Sequence, residues 1–467
     1  MDFERIVRGG TVVTGGRVAR LDIGIRQGRI VALAESLAGA PAAAVTDATG
    51  LLVLPGAIDA HVHFALPVAG THSIDDFASG TRAAACGGVT TVIDFATPVP
   101  GETMAQAIVA RRALADPQVG IDYGLHAGII GWHAGSGDEL QEALAAGCPS
   151  FKLFMVYAAR GLRSDDGAFY CALRETVASG ATVTVHAENE ELIERLTAEA
   201  VARGELGCPS HGRTRPAVNE VEAVSRAIRW AEATGGRLYV VHLAAGGAVE
   251  LIRQARQRGV LVEAETCPQY LLLTDELFAR PDGHHFATCP PIRDRATQEQ
   301  LWAGLADGTL QVVATDTCPF TSEQKASWNG DFRKIPFGLP GVETLLPLLH
   351  SEGVVAGRIS LPRLVQLVAE NPARIFGLWP RKGAIAIGAD ADLVVFDPQR
   401  SVVLDPAVLQ SRCDYTPYQG RTVRGWVRDT LLRGEPVVVD GRFVGQPGGG
   451  RFLCREPAAG RGRLSGG

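Results

Sequence analysis

Short apolar runs recur through the middle of the chain, separated by stretches whose apolar positions repeat with a helical period. Eight runs stand out: Ile58-Asp59, Thr91 to Asp94, Tyr123 to His126, Phe151-Lys152, Val183 to His186, Leu238 to His242, Leu261 to Glu265 and Val312 to Asp316. Ser73–Cys86, Met104–Ala115 and Asn219–Ala233 are among the helix-like segments between them. Apolar strands alternating with helices predict a parallel sheet covered on both faces. Eight such units predict an α/β fold of (β/α)8 TIM-barrel type. An open doubly wound sheet is the alternative, but no GxGxxG turn follows the first run.

The two ends read differently. Residues 3–54 alternate Val/Ile-rich runs with Gly-Gly turns, and residues 380–445 repeat the pattern through Gly383–Gly388, Asp392–Phe396, Arg424–Arg428 and Pro436–Asp440. One small β-sandwich assembled from both termini satisfies both ends. The expected division is 1–54 and 379–445 as the two parts of the sandwich, with 55–378 as the barrel. Residues 446–467, rich in Gly, Arg and Pro, form an extended or flexible arm.

Composition changes this picture little. The 467 residues are 46% hydrophobic and 21% charged, with a net charge of -6. No basic patch points to nucleic acid, and no run of 18 apolar residues points to a membrane span. The start, Met1-Asp-Phe-Glu-Arg5, leads into a strand-like run without the marks of a signal peptide. Nine cysteines without a CxxC pair suit reduced thiols, so a bacterial-type cytoplasmic enzyme is expected.

The chemistry lies at the ends of the runs. Five of them deliver a metal-type ligand at or near the C-terminal end: His61 and His63, Lys152, His186, His242 and Asp316. In a parallel barrel those ends converge on one face. His61 and His63 are two apart on one strand, so both imidazoles point the same way. Lys152 lies inside an apolar run, where a cation is costly to desolvate. It is a snorkelling or ion-paired lysine, a Schiff-base lysine, or an amine carbamylated by CO2 into a bridging carboxylate. Four histidines and an aspartate nearby favour the carbamate, which would offset two divalent cations about 3.5–4 Å apart. Imidazole and carboxylate donors without thiolate suit Zn²⁺, with Mn²⁺, Co²⁺ or Fe²⁺ as alternatives. Asp316 is placed to take a proton from an attacking water and return it to a leaving nitrogen. His126, Glu265 and Asp94 also close apolar runs; they are read as orienting or capping groups. Cys318 is read as packing, and the remaining histidines, His211 among them, have no placement at a barrel end.

These residues resemble the cyclic amidohydrolases, in particular the dihydropyrimidinase and D-hydantoinase branch. The resemblance is carried in order by Pro55–His63, Gly70–Phe77, Gly80–Ala85, Phe151–Tyr157, His186–Asn189, Val241–Leu243, Glu265–Tyr270, Pro290–Arg293, Asn371–Leu378, Asp390–Leu393, Asp414–Tyr418 and Gly450–Arg455. It implies that His61, His63 and Asp316 hold one metal, that His186 and His242 hold the other, and that carbamylated Lys152 bridges them. It implies that Tyr157 donates its phenol to the oxyanion, and that the positions of Cys289 and Phe337 contact the substrate through backbone groups. The reaction implied is hydrolytic opening of a dihydropyrimidine or a 5-substituted hydantoin to an N-carbamoyl amino acid, by a metal-bridging hydroxide. A homotetramer or dimer is implied as well. Allantoinase is the runner-up. Dihydroorotase is disfavoured by Ala65, where that branch carries an arginine, and a non-catalytic scaffold is remote because all six ligand positions are filled. Three positions depart from the pattern: Thr317 replaces a histidine, Cys289 a serine and Phe337 an asparagine.

Overall fold

The computed structural model describes residues 2–68 and 70–458. Eight strands, numbered here in chain order, form the central sheet: β1 (Ala57–Asp59), β2 (Val89–Ala96), β3 (Asp122–Gly128), β4 (Ser150–Phe154), β5 (Thr182–His186), β6 (Arg237–Val240), β7 (Val262–Thr266) and β8 (Val312–Val313). Each pairs in parallel with its neighbour in sequence. The ring closes between β8 and β1. Val62 and Thr317 form a parallel bridge, and the His63 N–H donates to the Thr317 carbonyl at 2.9 Å. Asp59 reinforces the closure by accepting from the Thr315 N–H at 3.0 Å and the Thr315 hydroxyl at 2.5 Å. The fold is therefore the expected (β/α)8 barrel.

Strand alternation sorts the side chains. Along β4, Phe151 packs outward with the helix layer, while Lys152 faces the barrel interior. Ile58, Ile93, Tyr239, Val312, Phe376 and Leu453 belong to a separate buried cluster inside the ring. The helices at Met104–Ala115 and Ala217–Thr234 match the sequence pattern closely. The helix expected over Ser73–Cys86 begins later, at Phe77, where Asp76 and Ser79 form a reciprocal capping box.

Both termini build the second layer. A four-stranded sheet takes all its strands from residues 3–47, whereas a seven-stranded sheet joins Leu52–Pro55, Thr11–Val13 and Val18–Arg20, on one side, to four strands from 393–443 on the other. Val7, Ile23, Val53, Leu393, Val395 and Leu431 fill the space between. Residues 383–388 form no strand; Ile385 supplies a buried side chain to that core instead. At the seam between barrel and sandwich, the Lys382 ammonium lies 2.6 Å from Asp122, 2.7 Å from Asp392 and 3.1 Å from Asp390.

The C-terminal segment runs extended along the N-terminal end of the barrel. Phe452 bridges in parallel to Tyr123, near the start of β3, and the Leu453 N–H donates to the Tyr123 carbonyl at 2.7 Å. Residues 459–467 of the expected arm lie outside the described residues.

Candidate metal centre

His61, His63 and Asp316 come together at the C-terminal mouth of the barrel, with one donor atom from each within 4.8 Å of the others. Asp316 Oδ1 is 3.2 Å from His61 Nε2 and 3.2 Å from His63 Nε2. His186 and His242 adjoin them, their rings 4.5 Å apart, and His242 lies 5.3 Å from His61. Lys152 is buried in the same place, and its charge acts on His61, His186 and His242. All six residues picked from the sequence as ligands thus share one pocket.

The backbone that presents them is unusual. The sequence pattern makes His242 and Asp316 strand ends, but β6 stops at Val240 and β8 at Val313. Both residues sit beyond the strands in the left-handed region, at φ 37° and 52°, and Tyr157 does the same at φ 76°. Non-glycine residues adopt that region at a cost, and such costs gather at functional sites.

Carboxylates behind the histidines orient them. Glu265 Oε1 lies 2.5 Å from His61 Nδ1, which turns Nε2 toward Asp316. The same carboxyl accepts from the Tyr239 hydroxyl at 2.8 Å and the His242 N–H at 3.1 Å. Burial pushes Glu265 up to about 8, against those donated hydrogen bonds. Glu188 Oε2 lies 2.8 Å from His186 Nε2, which leaves Nδ1 for the pocket, and Arg215 pairs with it at 2.5 Å. Burial opposes the Glu188 charge, yet Arg215 and His186 hold the carboxyl down at about 2. Outer partners of this kind set the tautomer of ligating histidines. Of the orienting groups read from sequence, Glu265 holds the His61 ring. Asp94 instead caps the Phe64 N–H at 2.9 Å and pairs with Arg111 at 2.6 Å.

The donor set fits a divalent metal. Burial holds His61 and His242 well below the usual imidazole range and lowers His186, so neutral nitrogens face the pocket. His63 Nδ1 and His242 Nδ1 are buried without a protein partner among the described residues. Burial lowers Lys152 to about 8, with Asp316 and Glu265 offsetting part of the effect. Imidazole and carboxylate around one point, beside an amine that burial makes easier to deprotonate, are hard-to-borderline donors suited to first-row divalent ions.

Tyr157 flanks the centre, its ring 5.2 Å from His186. Burial raises its phenol well above 10, so it stays a proton donor. Its loop is tied down by the Ala158 N–H donating to Glu190 at 2.8 Å. Tyr157 and Arg215 both act on the buried Cys289 thiol, which places Cys289 beside this wall. Phe337 stacks instead on His211, with centroids 4.5 Å apart, and His211 donates to the Thr288 carbonyl at 2.8 Å. The sequence gives no hint of this role for His211, because its partners lie far away along the chain. The pairing of Glu188 with Arg215 is hidden from the sequence for the same reason, although His186-Ala-Glu188 repeats the same-face spacing of the HxH. The Thr317 hydroxyl is engaged outside the His/Asp group, accepting from the Gly341 N–H at 3.1 Å.

Comparison with known proteins agrees with this geometry. Residues 52–437 match the model of the amidohydrolase family. A D-hydantoinase from Streptomyces coelicolor is 41% identical, over 97% of this chain and 98% of that protein. A D-phenylhydantoinase from Escherichia coli O7:K1 is 40% identical, over 97% of this chain and 98% of that protein. The crystal structure of a dihydropyrimidinase from Brevibacillus agri superposes with a TM-score of 0.95 at 39% identity, covering 97% of this chain and 99% of that one. On matches of this extent, the chain belongs to the amidohydrolase family.

Proposed function

We propose that the chain is a metal-dependent cyclic amidohydrolase that opens a 5-substituted hydantoin or a dihydropyrimidine to an N-carbamoyl amino acid. The observation that carries this reading is the convergence of His61, His63 and Asp316 within 4.8 Å at the barrel mouth. The relatives named D-hydantoinase and D-phenylhydantoinase support the ring class. Nothing observed favours allantoin over these rings.

His61, His63 and Asp316 would hold one metal and His186 and His242 the other, with Lys152 as a carbamate between them. Zn²⁺ is the reading for both, with Mn²⁺, Co²⁺ or Fe²⁺ as alternatives. When bound, such ions supply an acidified water and polarise the ring carbonyl. Asp316 takes a proton from the attacking water at its carboxylate and returns it to the departing ring nitrogen. Tyr157 keeps its hydroxyl proton and donates a hydrogen bond to the carbonyl oxygen as charge builds there. Backbone groups at Cys289 and Phe337 bind the cyclic amide. The nine cysteines are all free, which suits a reducing cytoplasm. No helix among the described residues is long and apolar enough to cross a membrane. We take the assembly to be a homotetramer or dimer, and the units to be 1–54 with 379–445, 55–378, and the arm 446–467.

The test is ring opening by purified protein loaded with Zn²⁺ or Mn²⁺ and bicarbonate, on hydantoin, 5-phenylhydantoin, dihydrouracil and allantoin in parallel. Turnover of 5-phenylhydantoin or dihydrouracil is expected, with allantoin poorest. Silence on all four with metal bound would overturn the substrate reading.

A further inference from the structure

Arg455, in the C-terminal segment, is fully buried beneath the site, and no carboxylate pairs with it among the described residues. A guanidinium taken out of water without an anion is costly, so the groups it binds matter. Arg455 donates to the Leu125 carbonyl, to the Phe376 carbonyl at 3.3 Å and to the Ser150 hydroxyl oxygen at 3.1 Å. Ser150 Oγ lies 2.7 Å from His126 Nδ1, and His126 Nε2 lies 3.0 Å from the Ala60 carbonyl. Ala60 immediately precedes His61.

Chemistry fixes every direction in this chain of contacts. A carbonyl only accepts, so His126 Nε2 carries the proton. Burial keeps the imidazole neutral, so Nδ1 accepts and Ser150 must donate to it. The lone pairs left on Ser150 then face Arg455, which has only donors. A second route joins the same groups. The Phe95 ring stacks on His126 at 4.8 Å and 30° on one side and on His63 at 4.7 Å and 26° on the other.

We propose that Arg455 is a positioning residue for the metal centre. Through Ser150 it fixes His126 as the Nε2–H tautomer, and His126 holds the Ala60 carbonyl and the Phe95 ring that aim His61 and His63. The inference rests on His61 and His63 being ligands, and it gives the C-terminal segment a part in the site that its distance in sequence conceals. Outer-shell contacts of this kind commonly govern 10- to 100-fold in metal affinity or activity.

The experiment compares wild type with Arg455→Met and Ser150→Ala, reading kcat, KM, zinc affinity by chelator competition, and Tm. Arg455→Met should lose roughly 10- to 100-fold in kcat and in zinc affinity with KM little changed. Added guanidinium ion should restore both by refilling the vacated donor site. Ser150→Ala should show the same losses with no response to guanidinium. A merely structural arginine would lower Tm without the rescue. Wild-type zinc affinity and kcat in folded Arg455→Met overturn the proposal, as does a loss that guanidinium leaves unchanged and Ser150→Ala does not share. Should Arg455→Met fail to fold, Ser150→Ala decides, and unchanged zinc affinity there overturns the proposal. If wild type binds zinc but opens none of the rings, the substrate reading fails, while the zinc-affinity arm still tests Arg455.

Discussion

Lys152 at the barrel mouth and Lys382 at the barrel–sandwich seam are equally buried, each 1% exposed, yet their surroundings do opposite things. Lys382 is ringed by Asp122, Asp390 and Asp392 at 2.6–3.1 Å. Burial opposes its charge, but the three carboxylates outweigh burial and hold the ammonium above its ordinary 10.5. Lys152 has no such ring. Burial dominates there, and the amine falls to about 8. One lysine is a charged staple between layers; the other is an amine kept ready for chemistry. The mouth tolerates instability for reactivity, as its three left-handed residues also show, whereas the seam spends its charges on holding the fold.

The comparison predicts separable effects. Lys382→Met removes the cation shared by three buried carboxylates, leaving Asp122 to Arg433, Asp390 to Arg381 and Asp392 with no ionic partner among the described residues; it should cost about 3–5 kcal/mol, read as a drop in denaturation midpoint. Turnover per folded molecule should stay near wild type, and a large fall in kcat with intact stability would erase the contrast. Tyr157→Phe should do the reverse, losing roughly 10²–10³ in turnover, the effect of removing one oxyanion donor. Metal content and Tm should hold; unchanged turnover would remove Tyr157 from the mechanism. Lys152→Met, in metal-free protein, should raise stability by about 1–3 kcal/mol by deleting a poorly compensated polar group. A fall in Tm would mean that Lys152 is a structural cation after all.

The seam should also respond to pH, with a sign that follows from its shifts. Lys382 is raised in the folded state, so its contribution is complete below 10.5 and is lost as pH climbs through the folded value. Burial opposes the Asp390 charge, but Lys382 lowers the carboxyl, so its contribution is present above 3.8 and is lost as pH falls through the folded value. Wild type should therefore lose stability at both extremes, and Lys382→Met should flatten the alkaline limb. Parallel alkaline limbs for the two proteins would contradict the staple.

The same contrast explains what the sequence made legible. Strands buried on both faces must be apolar throughout, so the eight runs and the candidate ligands at their ends stand out without any knowledge of contacts. The sequence points to residues that gather at the barrel mouth, but not to their backbone: His242 and Asp316 look like strand ends, and nothing local signals that the chain has already left the strand at positive φ. Pairings between distant segments were invisible. Glu188 with Arg215, His211 with Phe337, and Lys382 with Asp122 become contacts only once the barrel has closed. Arg455 is the extreme case, a tail residue whose Gly- and Arg-rich surroundings look like a loose arm, yet it ends fully buried against β3 and β4.

The most direct test of the central claim is the metal content and ring-opening rate of Lys152→Ala beside wild type, each purified with Zn²⁺ and bicarbonate. Loss of turnover together with loss of bound metal is the result expected if Lys152 bridges the centre. Full turnover by the variant would contradict the two-metal account.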